Sequence, residues 1–343
     1  MKQLHKLIAA LFILSLSYIN AQTNIDTSSF NAVFSQLDLK PTTIVAIGEA
    51  HTIRGTHNTE LLIIKRLVEK GYKTIYIEGG EAEITIMNMY LKTGDTTVLS
   101  HTRAREHTGE LMKFMKGLYK LHEQHRDLTL KGFDFENPEP LNYLFSIWFD
   151  TTTISDPLVR HQVKLLQSID RNISFWDDKK MRKVEAILRL VADSFATTEH
   201  HYRAILGENF VNFKSIIFNP VTSNFGTRND NMTKVALRHQ QEGDLDHSII
   251  ITGAHHMIYY PKNFIPLLAK GLPEQYTIAS FACIYKNCRY YGSTKTYTSR
   301  PRFKKHLVKD NIEPLVHFTK PEKKLVPTKA KNMSTIAIGF YNQ

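Results

Sequence analysis

Four side chains capable of acid–base or metal chemistry follow directly after a short apolar run. The segment 44–57 reads IVAIGEAHTIRGTH, and its chemically capable side chains are Glu49, His51, Arg54 and His57. A carboxylate beside an imidazole can fix the tautomer of the ring and raise its basicity, which suits a general base. The same pair can bind a divalent metal ion. Glu49 and His51 are therefore the first candidate site residues.

A second stretch repeats the spacing of this cluster. Gly48 precedes His51 by three residues, and Gly253 precedes His256 by three residues in the segment ITGAHHM. Glycine lets the chain turn sharply away from the end of a strand. Two copies of this arrangement indicate a shared site to which His256 contributes, while the adjacent His255 can point away from it.

Two more charged residues occupy comparable positions. Glu78 ends the β-type run KTIYIEGG, and a carboxylate at a strand end suits a base or a metal ligand. Arg228 lies just before a helical pattern, where a guanidinium can bind a carboxylate or a developing oxyanion. Asp134 follows another strand-like run in an equivalent place. The candidate catalytic residues are Glu49, His51, Glu78, Arg228 and His256, and the candidate metal ligands are His51, Glu78 and His256.

The elements that must position these residues alternate between strand and helix. The segment 43–80 reads strand, helix, strand, which is the unit from which parallel sheets are built. Further strands are predicted at 128–138, 247–260, 276–285 and 334–342, and a helix from about Asn229 to Gln241. The predicted fold is α/β, with a mainly parallel central sheet flanked by helices. Since ligands bind beyond the carboxyl ends of such strands, we expect the candidate residues to meet in one cleft.

A helical insertion interrupts this alternation at about 141–215. Apolar residues recur there at helical spacing, for example Met181, Val184, Leu188 and Val191. We expect the insertion to pack over the sheet and to wall the cleft. Residues 22–343 are thus predicted to form a single α/β domain.

The first 21 residues have the features of a signal peptide. A basic start with Lys2 and Lys6 precedes an apolar stretch from Leu7 to Leu16, which is too short to span a bilayer, and Ala21 suits cleavage. No later run is long and apolar enough to span a membrane. We therefore expect a soluble protein that is exported, either to the periplasm or out of the cell.

Export bears on both the cysteines and the charge. Cys283 and Cys288 are the two cysteines of the chain, and four residues separate them, so a disulfide across a tight turn is predicted. The net charge is +11, with basic stretches at 300–306 and 320–324. In an exported protein this charge indicates a solvated basic face, and no nucleic acid partner is expected.

Motifs of several common enzyme classes are absent from the sequence. It contains no G-x-S-x-G, so a serine hydrolase of the α/β type is not supported. It also contains no G-x-x-x-x-G-K-[ST], no G-x-G-x-x-G and no H-E-x-x-H, the signatures of common nucleotide and zinc sites.

The order of the motifs resembles a known superfamily, which joins erythromycin esterases, ChaN-type haem-binding proteins and the TIKI/TraB group. The segments AIGEAHTIRGTHNTELLIIKRLVEKGYKTIYIEGG, KGFDFENP, RNDNM and ITGAHHM carry the resemblance, over roughly 42–136 and 224–260. Erythromycin esterases usually have one more residue between the first Glu and His, and a further His where this chain has Gly253. The pattern with two G-x-x-H motifs and a Glu is nearest to that of the TIKI-like enzymes, which are metal-dependent peptidases.

The resemblance implies a hydrolase-like cleft that acts on a small-molecule or peptide substrate, with a divalent metal ion as one expected cofactor. The alternative it implies is a ChaN-like protein that binds haem or iron without catalysis. His or Tyr side chains would then be the ligands, with candidates at 259–260 and 290–291. A third reading is an inactive scaffold that retains the fold.

Overall fold

The computed structural model describes residues 39–51, 56–103, 109–174, 177–221, 227–257 and 262–286, together with short strands between 288 and 341. Beyond residue 281 it describes the backbone alone. The predicted signal peptide, Arg54 and the tyrosines at 259–260 and 290–291 lie outside the described residues. The pairing of Cys283 with Cys288 involves side chains that also lie outside them, so it stays a prediction.

A seven-stranded sheet forms the centre of the molecule, in the order β10-β11-β5-β1-β4-β2-β3. Its strands are β1 (Thr43–Glu49), β2 (Thr74–Ile77), β3 (Thr129–Gly132), β4 (Ser248–Gly253), β5 (Thr277–Lys286), β10 (Val326–Pro327) and β11 (Met333–Tyr341). All neighbours pair in parallel except β10, which is antiparallel to β11 at one edge. The predicted α/β fold with a mainly parallel sheet is confirmed. Two small antiparallel pairs lie outside this sheet, β6 (Cys288–Arg289) with β7 (Thr296–Tyr297) and β8 (Val316–His317) with β9 (Lys320–Pro321).

Helices cover both faces of the sheet because successive side chains of a buried strand point to opposite sides. In β1, Val45 and Ile47 pack against α1 (Thr56–Val68) and α3 (Glu110–Gln124). Ile44 and Ala46 face α9 (Arg228–Gln241) and α11 (Phe264–Gly271) on the other side. All four side chains have no exposed surface. A strand that is apolar on both faces can therefore end abruptly in polar residues only where the sheet itself ends.

The remaining helices lie between the strands of the sheet and within the insertion. They are α2 (Glu81–Thr93), α4 (Pro138–Trp148), α5 (Pro157–Gln167), α6 (Asp178–Asp193), α7 (Phe195–Leu206), α8 (Phe210–Ile217) and α10 (Ala254–Met257), with 3-10 turns at Thr96–His101 and Gly207–Asn209. Among the described residues, none of these helices combines the length and the hydropathy needed to cross a bilayer. The helix predicted from about Asn229 begins one residue earlier, at Arg228.

The helical insertion, α4 to α8, has an apolar core of its own. Aromatic side chains dominate its centre, where Phe213 packs 4.7 Å from Tyr202 and 5.4 Å from Phe149, measured between ring centroids. Ala82 and Ile86 of α2 belong to this core, and the ring of Tyr143 stacks on His101 of the 3-10 turn after α2 at 3.9 Å. Among the described residues this core includes no strand residue. The insertion therefore packs on α2, whereas the sequence pattern predicted packing over the sheet.

A buried carboxyl group joins the insertion, α2 and the chain after β3. Glu136 has no exposed surface and accepts hydrogen bonds from the backbone N–H groups of Glu81 (2.7 Å) and Ala82 (3.0 Å) at the start of α2. Asn219, just after α8, donates to the same carboxyl group at 2.7 Å. Burial raises the pKa of Glu136 to about 8, although the backbone donors favour its ionised form.

We predict that Gly132→Ala destabilises the fold by about 1–3 kcal/mol, because a methyl group there forces backbone to move. A Cβ at Gly132 would lie 2.7 Å from the carbonyl oxygen of Gly79 and 2.9 Å from the backbone nitrogen of Glu81. Urea unfolding followed by circular dichroism measures the change. The control is Thr129→Ala on the same strand, for which we expect a change within about 0.5 kcal/mol. Equal midpoints for both variants would contradict the prediction.

Candidate active site

The register of the parallel strands brings the candidate residues together at one edge of the sheet. Glu49 ends β1 and is paired with Gly253, which ends β4. Ile77 of β2 is paired with Ile251 of β4, so Glu78 emerges at the same level as Thr252 and Gly253. Two carboxylates and a glycine therefore lie side by side at the carboxyl ends of three adjacent strands, as the sequence predicted.

Glu49 and His51 form a close pair at the end of β1. The Oε1 atom of Glu49 lies 2.6 Å from Nδ1 of His51. Glu49 is buried, while 56% of the His51 side chain is exposed. Because a carboxylate only accepts, Nδ1 of His51 carries the proton, and Nε2 is the atom that faces the cleft.

Charge couples the two members of this pair. The ionised Glu49 raises the pKa of His51 to about 9, against the opposing effect of burial. Burial opposes the ionisation of Glu49, but the charge and the hydrogen bond of His51 hold the pKa of Glu49 below its usual value. Since the pKa of His51 is higher in the folded state, this pairing stabilises the fold below about pH 6.5 and the effect fades as the pH rises through about 9.

Glu78 is surrounded by hydrogen-bond donors. Its Oε2 accepts from Oγ1 of Thr252 and from the backbone N–H of Gly253, both at 2.7 Å. Its Oε1 accepts from Nη2 of Arg228 at 2.6 Å, and Nε2 of His256 lies 3.5 Å from the same oxygen. Burial opposes the ionisation of Glu78, but the neighbouring groups on His256 and Arg228 hold its pKa well below the usual value. The carboxylate of Glu78 is therefore ionised at neutral pH and holds its hydrogen-bond donors in position.

Arg228, at the first turn of α9, binds two carboxylates at once. Its Nη2 donates to Glu78 and also, at 2.5 Å, to Oδ2 of Asp134, while Nε donates to Oδ1 of Asp134 at 3.2 Å. The guanidinium carbon lies 5.1 Å from the centre of the Phe135 ring. Burial opposes the charge of Arg228, but the two carboxylates outweigh it and raise its pKa. Among the residues the structure describes, none accepts a hydrogen bond from Nη1 of Arg228.

His256 is held from the same helix. Nδ1 of His256 lies 2.6 Å from Oδ1 of Asn229, the residue that follows Arg228. Only 15% of the His256 side chain is exposed. An amide oxygen accepts, so Nδ1 donates and Nε2 is directed towards the cleft. One turn of α9 therefore places both Arg228 and the ring of His256.

A small space above Gly253 separates the two imidazoles. A Cβ at this position would lie 3.2 Å from Nε2 of His51, 3.5 Å from Oε2 of Glu78 and 3.6 Å from Cδ2 of His256. Because glycine carries no side chain, these three side chains can approach one another over its Cα. This space is the point at which the polar side chains of the cleft converge.

The structure brings together all five candidate catalytic residues, Glu49, His51, Glu78, Arg228 and His256. The remaining member of the opening segment that can be placed, His57, lies beside them and is paired with the buried Glu60, with Nδ1 and Oε2 separated by 2.6 Å. Burial raises the pKa of Glu60, and the charge of Glu49 adds to this. One oxygen of Glu49 and one of Glu60 are buried without a hydrogen-bond partner among the described residues.

Three supporting residues were not identified as part of the site from the sequence. Asn229 was predicted only as the approximate start of a helix, yet it orients His256. Thr252 lies in the otherwise apolar strand β4, and its hydroxyl group donates to Glu78. Arg103 donates to the backbone oxygen of Glu78 and binds Glu83 through Nε at 2.9 Å. The sequence signal for Thr252 was its place just before Gly253; for Arg103 the sequence carries none, because its partners lie far away in the chain.

The three predicted metal ligands can be compared with the needs of a metal ion. Nε2 of His51 lies 3.9 Å from Oε2 of Glu78, and Nε2 of His256 lies 3.5 Å from Oε1 of Glu78. However, both oxygens of Glu78 already accept hydrogen bonds, and the cationic Arg228 lies 2.6 Å from one of them. This donor set does not fit a metal ion while Arg228 remains in place. A metal ion at these residues stays a prediction.

Comparison with known proteins places the fold. The sequence matches no protein-family model and no curated protein. The structure is similar to that of a Bacillus cereus protein, with a TM-score of 0.57 and 14% identity, covering 94% of this chain and 94% of that chain. It is also similar to a mutant of the erythromycin esterase EreC in its open conformation, with a TM-score of 0.55 and 14% identity, over 87% of this chain and 91% of that one.

A succinoglycan biosynthesis protein is a third structural neighbour, with a TM-score of 0.54 and 16% identity, covering 88% of this chain and 83% of that chain. At these identities the likenesses show the fold alone. They confirm, at the level of the fold, the resemblance to erythromycin esterases that the motifs predicted.

We predict that Glu49→Gln lowers the pKa of His51 from about 9 towards its ordinary value of 6.5, because the charge of Glu49 is the main cause of the increase. Histidine ring signals in NMR spectra recorded from pH 5 to about pH 10 report this titration. The control is Glu69→Gln, which removes a half-exposed carboxylate just after the last residue of α1 and leaves the His51 titration unchanged. An unaltered His51 pKa in Glu49→Gln would refute the coupling.

We predict that Arg228→Met destabilises the fold at neutral pH by about 3–5 kcal/mol, because it leaves Glu78 and Asp134 buried without a cation. The loss becomes smaller as the pH falls, since the carboxyl group of Glu78 then takes up a proton earlier in the variant than in the wild type. Urea unfolding near pH 7.5 and near pH 4.5 measures both values. Arg66→Met, which breaks the exposed pair with Glu69, costs less than about 1 kcal/mol at either pH. A loss for Arg228→Met that grows on acidification would contradict this account.

Proposed function

We propose that the protein is a hydrolase that adds water to an ester or peptide carbonyl, with His51 as the general base. The observation that carries the proposal is the Glu49–His51 pair, in which Nδ1 is bound at 2.6 Å and Nε2 borders the space above Gly253. An imidazole with one nitrogen fixed by a buried carboxylate and the other facing a cleft is well suited to proton transfer. The fold shared with an erythromycin esterase is compatible with this chemistry.

In the proposed reaction a water molecule occupies the space above Gly253. Its oxygen forms a bond to the substrate carbonyl carbon, while one proton passes to Nε2 of His51 and the carbonyl electron pair moves to oxygen. Collapse of this tetrahedral species breaks the bond to the leaving alcohol or amine, which takes the proton back from His51. Glu49 stays ionised and stabilises the imidazolium that forms between these steps.

Arg228 and His256 supply positive charge or hydrogen bonds where negative charge develops. Nη1 of Arg228, which has no acceptor among the described residues, can donate to the developing oxyanion or to a substrate carboxylate. The ring of His256, whose Cδ2 lies near the same point above Gly253, can bind the leaving group through Nε2. Both groups are fixed before substrate arrives, through Asp134 and Asn229, so little reorganisation is needed during reaction.

Glu78 acts in this scheme by positioning its neighbours. Its oxygens hold Arg228, Thr252 and the backbone of Gly253, which leaves it poorly placed to accept a proton. No step of the proposed reaction requires a metal ion. The leader-like residues 1–21 support export to the periplasm or the medium, where a small molecule or a peptide would be the substrate.

We predict that His51→Ala lowers the turnover of a p-nitrophenyl ester by about 100- to 10,000-fold, because it removes the general base. Glu49→Gln and Gly253→Ala also lose most activity, the first by removing the charge that orients His51 and the second by filling the space for water. His161→Ala, an exposed histidine on α5, is the control and retains wild-type turnover. Circular dichroism establishes that each variant is folded.

The pH dependence provides a second readout of the same prediction. Because His51 must lose its proton to act as a base, kcat/KM should rise about tenfold per pH unit below pH 9 and level off above it. Turnover that survives His51→Ala, or that requires an added divalent ion well below the unfolding temperature, would overturn the proposed mechanism. A strong visible band on adding haem, with no turnover of esters or peptides, would support the haem-binding alternative instead.

A further inference from the structure

A second cluster of ligating side chains lies at the opposite end of α9 from the cleft. His239 belongs to the last turn of α9, and Glu242 and Asp244 follow in the turn that leads to β4. One ligand-type atom of each residue lies within 4.8 Å of the other two. His239 is eleven residues beyond Arg228, or about 16 Å along the helix axis. None of the three has a part in the proposed hydrolysis.

His239 is the buried member of this cluster. It has no exposed surface, and its Nε2 lies 2.8 Å from Oε1 of Glu81. Since a carboxylate only accepts, Nε2 donates to Glu81, and Nδ1 is the ring nitrogen that could offer a lone pair to an ion. Nδ1 is buried and has no hydrogen-bond partner among the described residues. It lies 3.5 Å from Oε2 of Glu242 and 4.0 Å from Oδ2 of Asp244.

This arrangement has the features of a metal site with its outer support. Histidine ligands usually donate their second ring N–H to a carboxylate, which fixes the ring and directs the other nitrogen at the ion, as Glu81 does for His239. Two ligands of a tetrahedral ion at metal–ligand distances of about 2.0–2.2 Å are about 3.3–3.6 Å apart. The 3.5 Å separation of His239 from Glu242 lies in this range, and the 4.0 Å separation from Asp244 requires a small shift of an exposed carboxylate. The side chains of Glu242 and Asp244 are 50% and 40% exposed, which leaves an ion a route from solvent.

We propose that His239, Glu242 and Asp244 bind one divalent transition-metal ion of the Zn²⁺ type. Nδ1 of His239 and one carboxylate oxygen from each acidic residue are the protein ligands, and water completes the coordination. The imidazole nitrogen favours Zn²⁺ and its neighbours in the transition series over Mg²⁺ and Ca²⁺, which prefer oxygen ligands alone. This proposal is independent of the proposed hydrolase activity.

Lys131 is the group with which a bound ion competes. Its Nζ lies 3.0 Å from Oδ2 of Asp244, and 24% of its side chain is exposed. The ion takes over the carboxylate, and the flexible lysine moves to solvent. Removing the charge of Lys131 therefore strengthens metal binding, an effect that a purely structural ion pair does not produce. The other cation nearby is Arg238, whose Nη2 lies 4.0 Å from Oε1 of Glu81.

The ion would act as a clamp. It joins the end of α9 to the turn before β4, and through Glu81 it reaches the start of α2. The other end of α9 carries Arg228, and α2 begins just after Glu78. Binding therefore stabilises both elements that border the cleft, so the expected role is structural, with an increase in unfolding temperature as its direct consequence.

The test uses the full chain, treated with a chelator and then dialysed. Isothermal titration with ZnCl₂ is expected to show one site of micromolar or tighter affinity, with a higher unfolding temperature, and MgCl₂ to show neither. Glu242→Gln is expected to weaken Zn²⁺ binding at least tenfold and Lys131→Met to strengthen it severalfold. These partly exposed positions are preferred to His239, whose replacement can unfold the protein. The control is Glu69→Gln, which removes a carboxylate of similar exposure just after α1 and leaves binding unchanged.

His51→Ala separates this site from the cleft, because it removes an imidazole there and leaves His239 untouched. Zn²⁺ binding and thermal stabilisation that persist in His51→Ala and are lost in Glu242→Gln support the proposal. Unchanged Zn²⁺ affinity in both Glu242→Gln and Asp244→Asn overturns it, as does loss of binding in His51→Ala.

Discussion

The cleft depends on one interaction, the pairing of the partly buried Arg228 guanidinium with Glu78 and Asp134. Glu78 and Asp134 follow neighbouring strands and are both buried, and leaving two such carboxylates without a cation is costly. Arg228 binds the two carboxylates and so ties the ends of β2 and β3 to the start of α9. The next residue, Asn229, holds His256. One ion-paired side chain thus fixes the geometry of the second imidazole and the charge of the cleft.

Three glutamates near this cation have different roles because their hydrogen-bond donors differ. Glu49 has a single strong partner, the exposed ring of His51, and therefore controls how that ring binds protons. Glu78 has its lone pairs occupied by three donors and serves as an anchor. Glu136, against the start of α2, sits where burial favours its protonated form and closes a helix end. What a carboxylate does here follows from the number and charge of its donors.

The sequence allowed the strands and the convergence of the site to be predicted, because both follow from local signals. Ile44–Ile47 and Ser248–Gly253 are apolar runs that end in glycine, and parallel pairing of such runs brings Glu49, Glu78 and His256 to one edge. The pairing of Arg228 with Asp134, 94 residues away, has no local signal. Neither has the contact between His239 and Glu81, which depends on how α9 lies across the sheet. The sequence therefore predicted which residues form the site. It did not predict which hydrogen-bond partners each of them has in the folded protein.

The separate core of the helical insertion has a consequence for how such a protein can change over time. Its aromatic interior meets the rest of the molecule through α2, the 3-10 turn that follows α2, and a buried amide–carboxyl contact between Asn219 and Glu136. Among the described residues, its apolar core contains none from the strands that precede Glu49 and Glu78. Lineages descended from a common ancestor could therefore diversify the insertion, by drift or by selection, while inheriting the same set of reactive groups.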